Sequence, residues 1–477
     1  MVKIEKRSAL ILIFLLALAL AIRFYPPMTN DFLVNFDSVY HARIGQMTAD
    51  AGWVPSWDYA AGGRPQLYPP FYHLVLGYLS IASGIPVFEI IKYLLPLISA
   101  LFILPAFYLA RTFRDEETAL WVAAFVALNP VVASQSYDSP QLFGFLLLPI
   151  IARLFLKGSY LVCGVLLGVS LLFNYFIAAT IAVVLLAYGA VKYFSKDRNL
   201  ITYGKAKMPL VYAGLSIAIG IGLASPWLFI AASRAGECLD VSTAVSSIAA
   251  AGMGNLLVMV PFVAIIGFVF LYMTKQSKDD YALFWKICVA LGVVGFYASL
   301  AFPWLHSYDQ ILLAGFALPF LLPEMKLRES TNIAILILAL VASVFAVAAI
   351  SPSLSDGDLG AVYWIKGNVA KGDILANPEI SASINTLTMS KSLRTEFDLF
   401  LECVPDSQRW TDMYGTLMTA DKTEARAIID KYGVDYVIVG DRDVWNYHFD
   451  TNKFTEMGYP IAFSSAGTKI YQVTPTP

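Results

Sequence analysis

Residues 35 to 45 read NFDSVYHARIG, a run that sets a carboxylate (Asp37), an imidazole (His41) and a guanidinium (Arg43) close together. A second carboxylate, Asp138, stands in SYDSP at 136–140, directly after Tyr137. Two facing carboxylates can hold a divalent cation through oxygen ligands, or hold and polarise an acceptor as general base. Either job suits group transfer from a phosphate leaving group, whose developing negative charge needs a metal or an Arg/Lys nearby. Arg43 and Arg64 share the Asp37 segment and are candidates for that role, although they also suit lipid headgroups. His41 follows Asp37 by four residues, one helical turn, so the two can share a face. The alternative readings are structural: Asp138 before Ser139-Pro140 also suits a helix N-cap, and a lone histidine near an interface also serves packing.

These residues must be positioned by a membrane protein. Of the 477 residues 58% are hydrophobic and 14% charged, and mean hydropathy is +0.65, whereas a soluble chain carries about 25% charged residues. A net charge of −2 leaves no basic field, which excludes nucleic acid as a partner. Four cysteines without Cys-x-x-Cys or Cys/His spacing indicate neither a disulfide framework nor a zinc site.

A span needs about 20 apolar residues. Candidate runs fall near 8–24, 90–111, 118–135, 141–157, 159–174, 176–194, 209–231, 255–273, 282–301, 308–323 and 331–351, which makes about eleven transmembrane helices. The first, behind Lys3, Lys6 and Arg7, also has features of a signal peptide. Lysine and arginine concentrate in alternate loops: Arg111 and Arg114; Lys192 to Lys207; Lys275 and Lys278; Lys326 and Arg328. By the positive-inside rule these face the cytoplasm, as does the amino terminus. The opposite loops, 136–141, 232–254 and 303–310, contain only Arg234 between them and face outward. This parity requires the apolar stretch 68–84 to lie along the outer surface, anchored by Tyr68, Tyr72 and His73. Asp37 and Asp138 then share the outer face, joined by Glu237 in the 232–254 loop.

The tail changes character near residue 352. KTEARAIIDKYG (422–433) predicts an amphipathic helix with Asp421 as N-cap, and VDYVIVGD (434–441) a buried strand. The expected fold is therefore mainly α: a polytopic membrane helix bundle over 1–351, with 25–90 as first outer loop and interfacial helix, followed by a small extracytoplasmic α/β domain over 352–477. Cys238 and Cys403 fall on the outer side, where a disulfide and two free thiols both remain open.

From about residue 8 to 160 the chain resembles the membrane-embedded glycosyltransferases of GT-C type, and among them the catalytic subunit of oligosaccharyltransferase. The likeness lies in one span, a long outer loop with NFDSVYHA, the YPPFYH turn, GIPVFEIIKYLLPLISALFILPAFYLARTF, and then SYDSP. It implies that Asp37 and Asp138 bind a divalent metal, Mn²⁺ or Mg²⁺, and orient the acceptor. The implied reaction moves a glycan from a polyprenyl (dolichyl)-linked phosphate or pyrophosphate donor, classically onto the asparagine of an Asn-x-Ser/Thr sequon. Tyr137, Glu237, and Trp410, Asp412 and Tyr414 of WTDMYG would then contact substrate, the last three as the counterpart of the family's Trp-Trp-Asp-Tyr-Gly motif. The sequence departs from the family where Pro140 replaces a second acid, in the spacing of WTDMYG, and in its smaller number of spans.

Two forms of the enzyme remain: oligosaccharyltransferase-like transfer to protein, and single-sugar transfer from a polyprenyl monophosphate to a lipid-linked glycan, toward which the missing acid at Pro140 points. Other classes are a transporter or flippase of lipid-linked sugars, for which GLASPW (222–227) is a weak broken-helix signal, and a non-catalytic assembly partner. The topology makes its own prediction. With Asp138→Cys, an impermeant thiol reagent should label the protein from outside the cell, and with Leu200→Cys it should not; the reverse pattern would place the carboxylates on the wrong face.

Overall fold

The computed structural model describes residues 5–34, 36–58, 64–137, 140–194, 209–235, 279–301, 307–325, 328–348, 354–388, 393–395, 412, 415–417, 419–441 and 452–473. The membrane part begins with α1 (Lys6–Thr29), α2 (Phe36–Ala51), the two-residue strands β1 (Trp57–Asp58) and β2 (Arg64–Pro65), and α3 (Phe71–Ser83). It continues through α4 (Val87–Leu101), α5 (Ile103–Phe113), α6 (Glu116–Ala127), α7 (Pro130–Ser134) and a 3-10 turn (Gln135–Tyr137). Then follow α8 (Gln141–Leu156), α9 (Tyr160–Phe173), α10 (Tyr175–Phe194), α11 (Pro209–Ala235), α12 (Asp280–Ala301), α13 (Ser307–Leu321) and α14 (Glu329–Ala348). Five stretches among the described residues are long and apolar enough to cross a membrane: Lys6–Thr29, Val87–Phe113, Tyr175–Phe194, Pro209–Arg234 and Glu329–Ala348. This is a multi-pass membrane protein. The expected span 255–273 lies outside the described residues.

One expected span is built differently. The run 118–135 is divided into α6 and α7, because Pro130 disfavours helical backbone at the residue before it. Asn129 occupies the break and caps α7, its Oδ1 accepting from the Val131 amide at 2.8 Å and the Val132 amide at 3.3 Å. The broken helix leaves carbonyls at its end, and a buried arginine from α1 takes them. Arg23 donates to the carbonyls of Ala127 (3.0 Å) and Val126 (3.4 Å), and to Ser99 Oγ on α4 (3.0 Å). Elsewhere small residues allow close approach: Gly164 and Gly168 on α9 form a G-x-x-x-G face, and a Cβ on Gly168 would come within 2.9 Å of the Gly220 carbonyl of α11. Gly77 of α3 similarly lies under Thr48 of α2, where a Cβ would meet Thr48 Cγ2 at 2.9 Å.

The tail forms an α/β unit of α15 (Asp356–Asn368), β3 (Gly372–Leu375), α16 (Pro378–Thr388), β4 (Leu393–Thr395), α17 (Lys422–Tyr432), β5 (Tyr436–Val439), α18 (Lys453–Glu456), β6 (Ile461–Ser465) and β7 (Thr468–Gln472). The sheet order is β4-β3-β5-β7-β6, parallel from β4 to β5 and antiparallel beyond. The expected helix and strand are both present. Asp421 caps α17 by accepting from the Thr423 and Glu424 amides, Gly433 ends it at φ 63°, and β5 is buried. The unit stands on α2: Thr386 Oγ1 of α16 donates to the Val39 carbonyl at 2.9 Å, and buried side chains run without interruption from Leu12 to Ile470.

Replacing Arg23 with methionine should destabilise the protein by about 3 kcal/mol, because the carbonyls of Ala127 and Val126 and the hydroxyl of Ser99 each lose a buried hydrogen bond. Thermal unfolding in detergent measures this, and an unchanged midpoint would show that the arginine does not hold the helices together.

Candidate functional site

Asp37 lies in the first turn of α2, half-buried, where the helix N-terminus favours a negative charge. The next residue, Ser38, donates its hydroxyl to the carbonyl of Tyr137 at 2.6 Å, joining positions 99 residues apart. Tyr137 is held from behind, its phenol donating to the Arg23 carbonyl at 2.5 Å. Ser136 donates to Ser99 Oγ at 2.8 Å, and Ser99 donates to the Val132 carbonyl at 3.1 Å. The chain neighbours of Asp37 and of position 138 therefore meet where α1, α4 and α7 converge. Tyr137 serves this junction through its backbone carbonyl and its phenol. Asp138 and Glu237 lie outside the described residues.

Arg43, expected as a phosphate ligand, lies in the interior of the loop. Its guanidinium is buried and paired with buried Asp58 at 2.8 Å, with the Tyr40 ring 5.5 Å away. An interior carboxylate on β1 requires such a partner, and pairing inside the loop removes this cation from the outer surface. Arg64 contributes backbone to β2, pairing with Asp58 across the hairpin, and its side chain lies outside the described residues.

His41 is also interior, only 1% exposed. Its Nδ1 lies 2.9 Å from Nε2 of His73 on α3, a contact in which one ring donates and the other accepts. The rings of Tyr40, Tyr68 and Tyr72 surround it edge-on with centroids 4.9, 4.7 and 5.3 Å away. Burial, then His73 and Arg43, hold the His41 imidazole well below its ordinary range. Burial pushes His73 down to about 3, against the opposing pull of Asp58 and the Pro69 carbonyl. Burial favours the neutral form of both rings, and His41, expected as a substrate contact, faces His73 and three tyrosine rings in the interior.

Arg234, at the outer end of α11, is a candidate that the sequence marked only as the lone basic residue of the outward loops. Its guanidinium donates to the Gln66 carbonyl at 2.9 Å and lies 5.5 Å over the Trp227 ring. Trp227 donates to Tyr175 Oη (2.7 Å), Tyr175 to the Leu67 carbonyl (3.1 Å), and Asn174 to Tyr68 Oη (3.0 Å). Gln66 in turn accepts the Tyr40 hydroxyl at 2.9 Å. Segment 66–68 therefore ties α2 to α9, α10 and α11, and places Arg234 beside the Asp37 loop.

In the outer unit Asp412 accepts from Lys431 Nζ at 2.7 Å and Tyr432 Oη at 3.0 Å on α17. Trp410 and Tyr414 lie outside the described residues, as do Cys238 and Cys403. Lys453, which no sequence pattern singled out, is fully buried and donates to the carbonyls of Thr416, Leu417 and Thr419 at 2.7, 3.0 and 2.6 Å. It fixes the chain that follows WTDMYG.

Among the described residues no three His, Cys, Asp or Glu side chains converge as a metal site. Asp37 is the described member of the expected ligand pair, which leaves the set incomplete within them, and the chemistry below is derived from side chains alone.

No protein-family model matches the chain, and no curated protein matches it in sequence. Solved structures do. The Archaeoglobus fulgidus oligosaccharyltransferase tethered with an acceptor peptide containing the NVT sequon aligns at TM-score 0.59 and 11% identity over 92% of this chain and 70% of that one. The archaeal oligosaccharyltransferase AglB from Archaeoglobus fulgidus in complex with an inhibitory peptide and a dolichol-phosphate aligns at 0.57 and 11% identity, with the same coverage. The mycobacterial arabinofuranosyltransferase AftD, in a variant form, aligns at 0.60 and 14% identity over 99% of this chain, which spans 42% of that protein. The likeness is one of fold: the chain has the GT-C architecture of these membrane glycosyltransferases, as the resemblance implied.

The buried histidine pair makes stability depend on pH. Each ring titrates in the folded state below the ordinary 6.5, so below about 6.5 the unfolded chain binds more protons and stability falls with pH. Unfolding measured from pH 7 to pH 4 should show a loss of up to about 1.4 kcal/mol per pH unit per histidine. His73→Gln should reduce that slope by the share of one ring, and an unaltered slope would mean that the pair is protonated when folded.

Proposed function

We propose that this protein is an integral-membrane glycosyltransferase. It transfers a sugar or oligosaccharide from a polyprenyl-linked phosphate or pyrophosphate donor to an acceptor at the outer membrane face, with its amino terminus in the cytoplasm and residues 352–477 outside. The observation that carries this reading is the Ser38–Tyr137 bond, which couples the segment of Asp37 to that of Asp138. The GT-C fold, found in structures solved with a dolichol-phosphate and with a sequon peptide, supports it.

In the reaction, an acceptor oxygen or nitrogen bonds to the anomeric carbon as the bond from that carbon to the phosphate oxygen breaks, and the electron pair leaves with the phosphate. Asp37 orients the acceptor and takes its proton. Arg234 turns its remaining N–H groups toward the departing phosphate, the task that Arg43 cannot perform from inside the loop. The role of second carboxylate falls to Asp138, and acceptor contacts to Glu237 and the WTDMYG segment, whose Asp412 is braced by Lys431. Were Mn²⁺ or Mg²⁺ bound, Asp37 and Asp138 would hold it and it would offset phosphate charge.

Oligosaccharyltransferase-like transfer to a sequon is the first form of this reading. The second, single-sugar transfer to a lipid-linked glycan, draws on Pro140, which begins α8 where the family carries an acid. Purified protein in bilayers, supplied with a polyprenyl-linked donor pool, a sequon peptide and a lipid acceptor, with and without Mn²⁺ and chelator, separates them. Asp37→Asn should lower transfer by about 10²–10⁴-fold, and Arg234→Ala by about 10²-fold with partial recovery in Arg234→Lys. Equal rates for wild type and Asp37→Asn would overturn the reading. Metal-dependent peptide glycosylation selects the first form, and metal-independent transfer to lipid the second.

A further inference from the structure

A cleft of about 520 Å³ opens between the membrane part and the outer unit, within the roughly 300–1,000 Å³ range of ligand sites. One wall is the face of α2 carrying Ala42, Gln46, Ala49 and Asp50, and the opposite wall is Lys366 of α15 with Thr386 of α16. At about 100° per residue, Ala42, Gln46 and Ala49 fall on the side of α2 turned away from Asp37. The cleft is therefore distinct from the reacting centre. It stands at the far end of the same helix.

Its chemistry is specific in kind. Asp50 accepts from the Gln46 amide at 3.0 Å through one carboxylate oxygen. Lys366, exposed at the end of α15, makes no hydrogen bond or ion pair among the described residues. The hydroxyls of Ser80 and Thr386 donate to backbone carbonyls and keep lone pairs to offer. One carboxylate and one ammonium on facing walls cancel, so the cleft has no surplus of positive charge for a phosphate. Mixed acceptors and donors lining a neutral cleft match a polyhydroxyl ligand, because a carboxylate can accept from two adjacent hydroxyls while an ammonium donates to a third. Beside the cleft, Trp53, Tyr78 and Ile81 are 59%, 50% and 54% exposed, a pattern of aromatic and apolar side chains suited to the membrane–water boundary.

We propose that this cleft is a second, non-catalytic saccharide site, which holds the neutral sugar units of a lipid-linked oligosaccharide whose carrier lies in the adjacent leaflet. The identity of the occupant rests on the glycosyltransferase reading, whereas the site itself does not. The small wall residue Ala49 leaves the space that the sugar rings fill, and Asp50 and Lys366 select them.

The test uses the full chain in nanodiscs and, as probe, the neutral oligosaccharides released by mild acid from the lipid-linked pool of the source cells. Binding is followed by saturation-transfer NMR and calorimetry. Wild type and Asp37→Asn should bind alike, and Asp50→Asn with Lys366→Met should weaken binding at least tenfold. Ala49→Phe, which fills the cleft without altering charge, should do the same while leaving transfer from a single-sugar donor within twofold. Absence of binding to wild type at millimolar probe, binding lost in Asp37→Asn but kept in Ala49→Phe, or displacement of the sugar by phospholipid headgroups would each overturn the proposal. Binding to a wild-type protein that shows no transferase activity with any donor would instead refute the glycosyltransferase reading and leave the cleft intact.

Discussion

The guanidinium of Arg23 is the contact on which the arrangement depends. A charged group within a membrane span is costly unless protein surrounds it and supplies partners. Here the partners are carbonyls that a broken helix leaves behind, so the break at Asn129-Pro130 and the buried arginine each satisfy what the other exposes. The Arg23 carbonyl then receives Tyr137, and the Tyr137 carbonyl receives Ser38. A chain of polar contacts thus runs from the interior of α1 to the residue beside Asp37. Packing alone would not set that register, because apolar side chains tolerate sliding and hydrogen bonds do not.

The first outer loop is built on a similar logic, at smaller scale. Its interior holds two histidines in mutual contact and an arginine paired with an aspartate. Such a polar interior admits few alternative arrangements, since misplacing one member leaves another unpaired. The consequence is a rigid α2 with Asp37 in its first turn. The carboxyl-terminal unit is seated on the same helix through Thr386 and Val39, so α2 is common to Asp37, the interdomain contact and the cleft beyond.

Much of this was legible in the residues. The apolar runs, the basic loops, the change of character near 352, and the helix and strand at 422–441 all follow from composition and periodicity, which are local properties. The divided helix was legible in principle at Asn129-Pro130, where the hydropathy signal masked the proline. The sequence lists the charge of Arg43 and cannot list Asp58 as its partner, and the spacing of His41 from Asp37 says nothing about His73. Lys453 and Arg23 left no signal, as a single cation in an apolar or mixed stretch has no period.

By itself the amino-acid sequence determined the solvent in which this chain folds, the segments that become helices, and the alternation of basic and base-poor loops between them. The tertiary structure decided which charges remain available for chemistry. Arg43 was taken inside and Arg234 brought beside the loop, while residues 38 and 137, 99 positions apart, were joined. The physical reason is that hydropathy and helical period act over one or two turns, whereas the cost of a buried charge is met by whichever partner the packed helices bring within about 3 Å, at any separation along the chain.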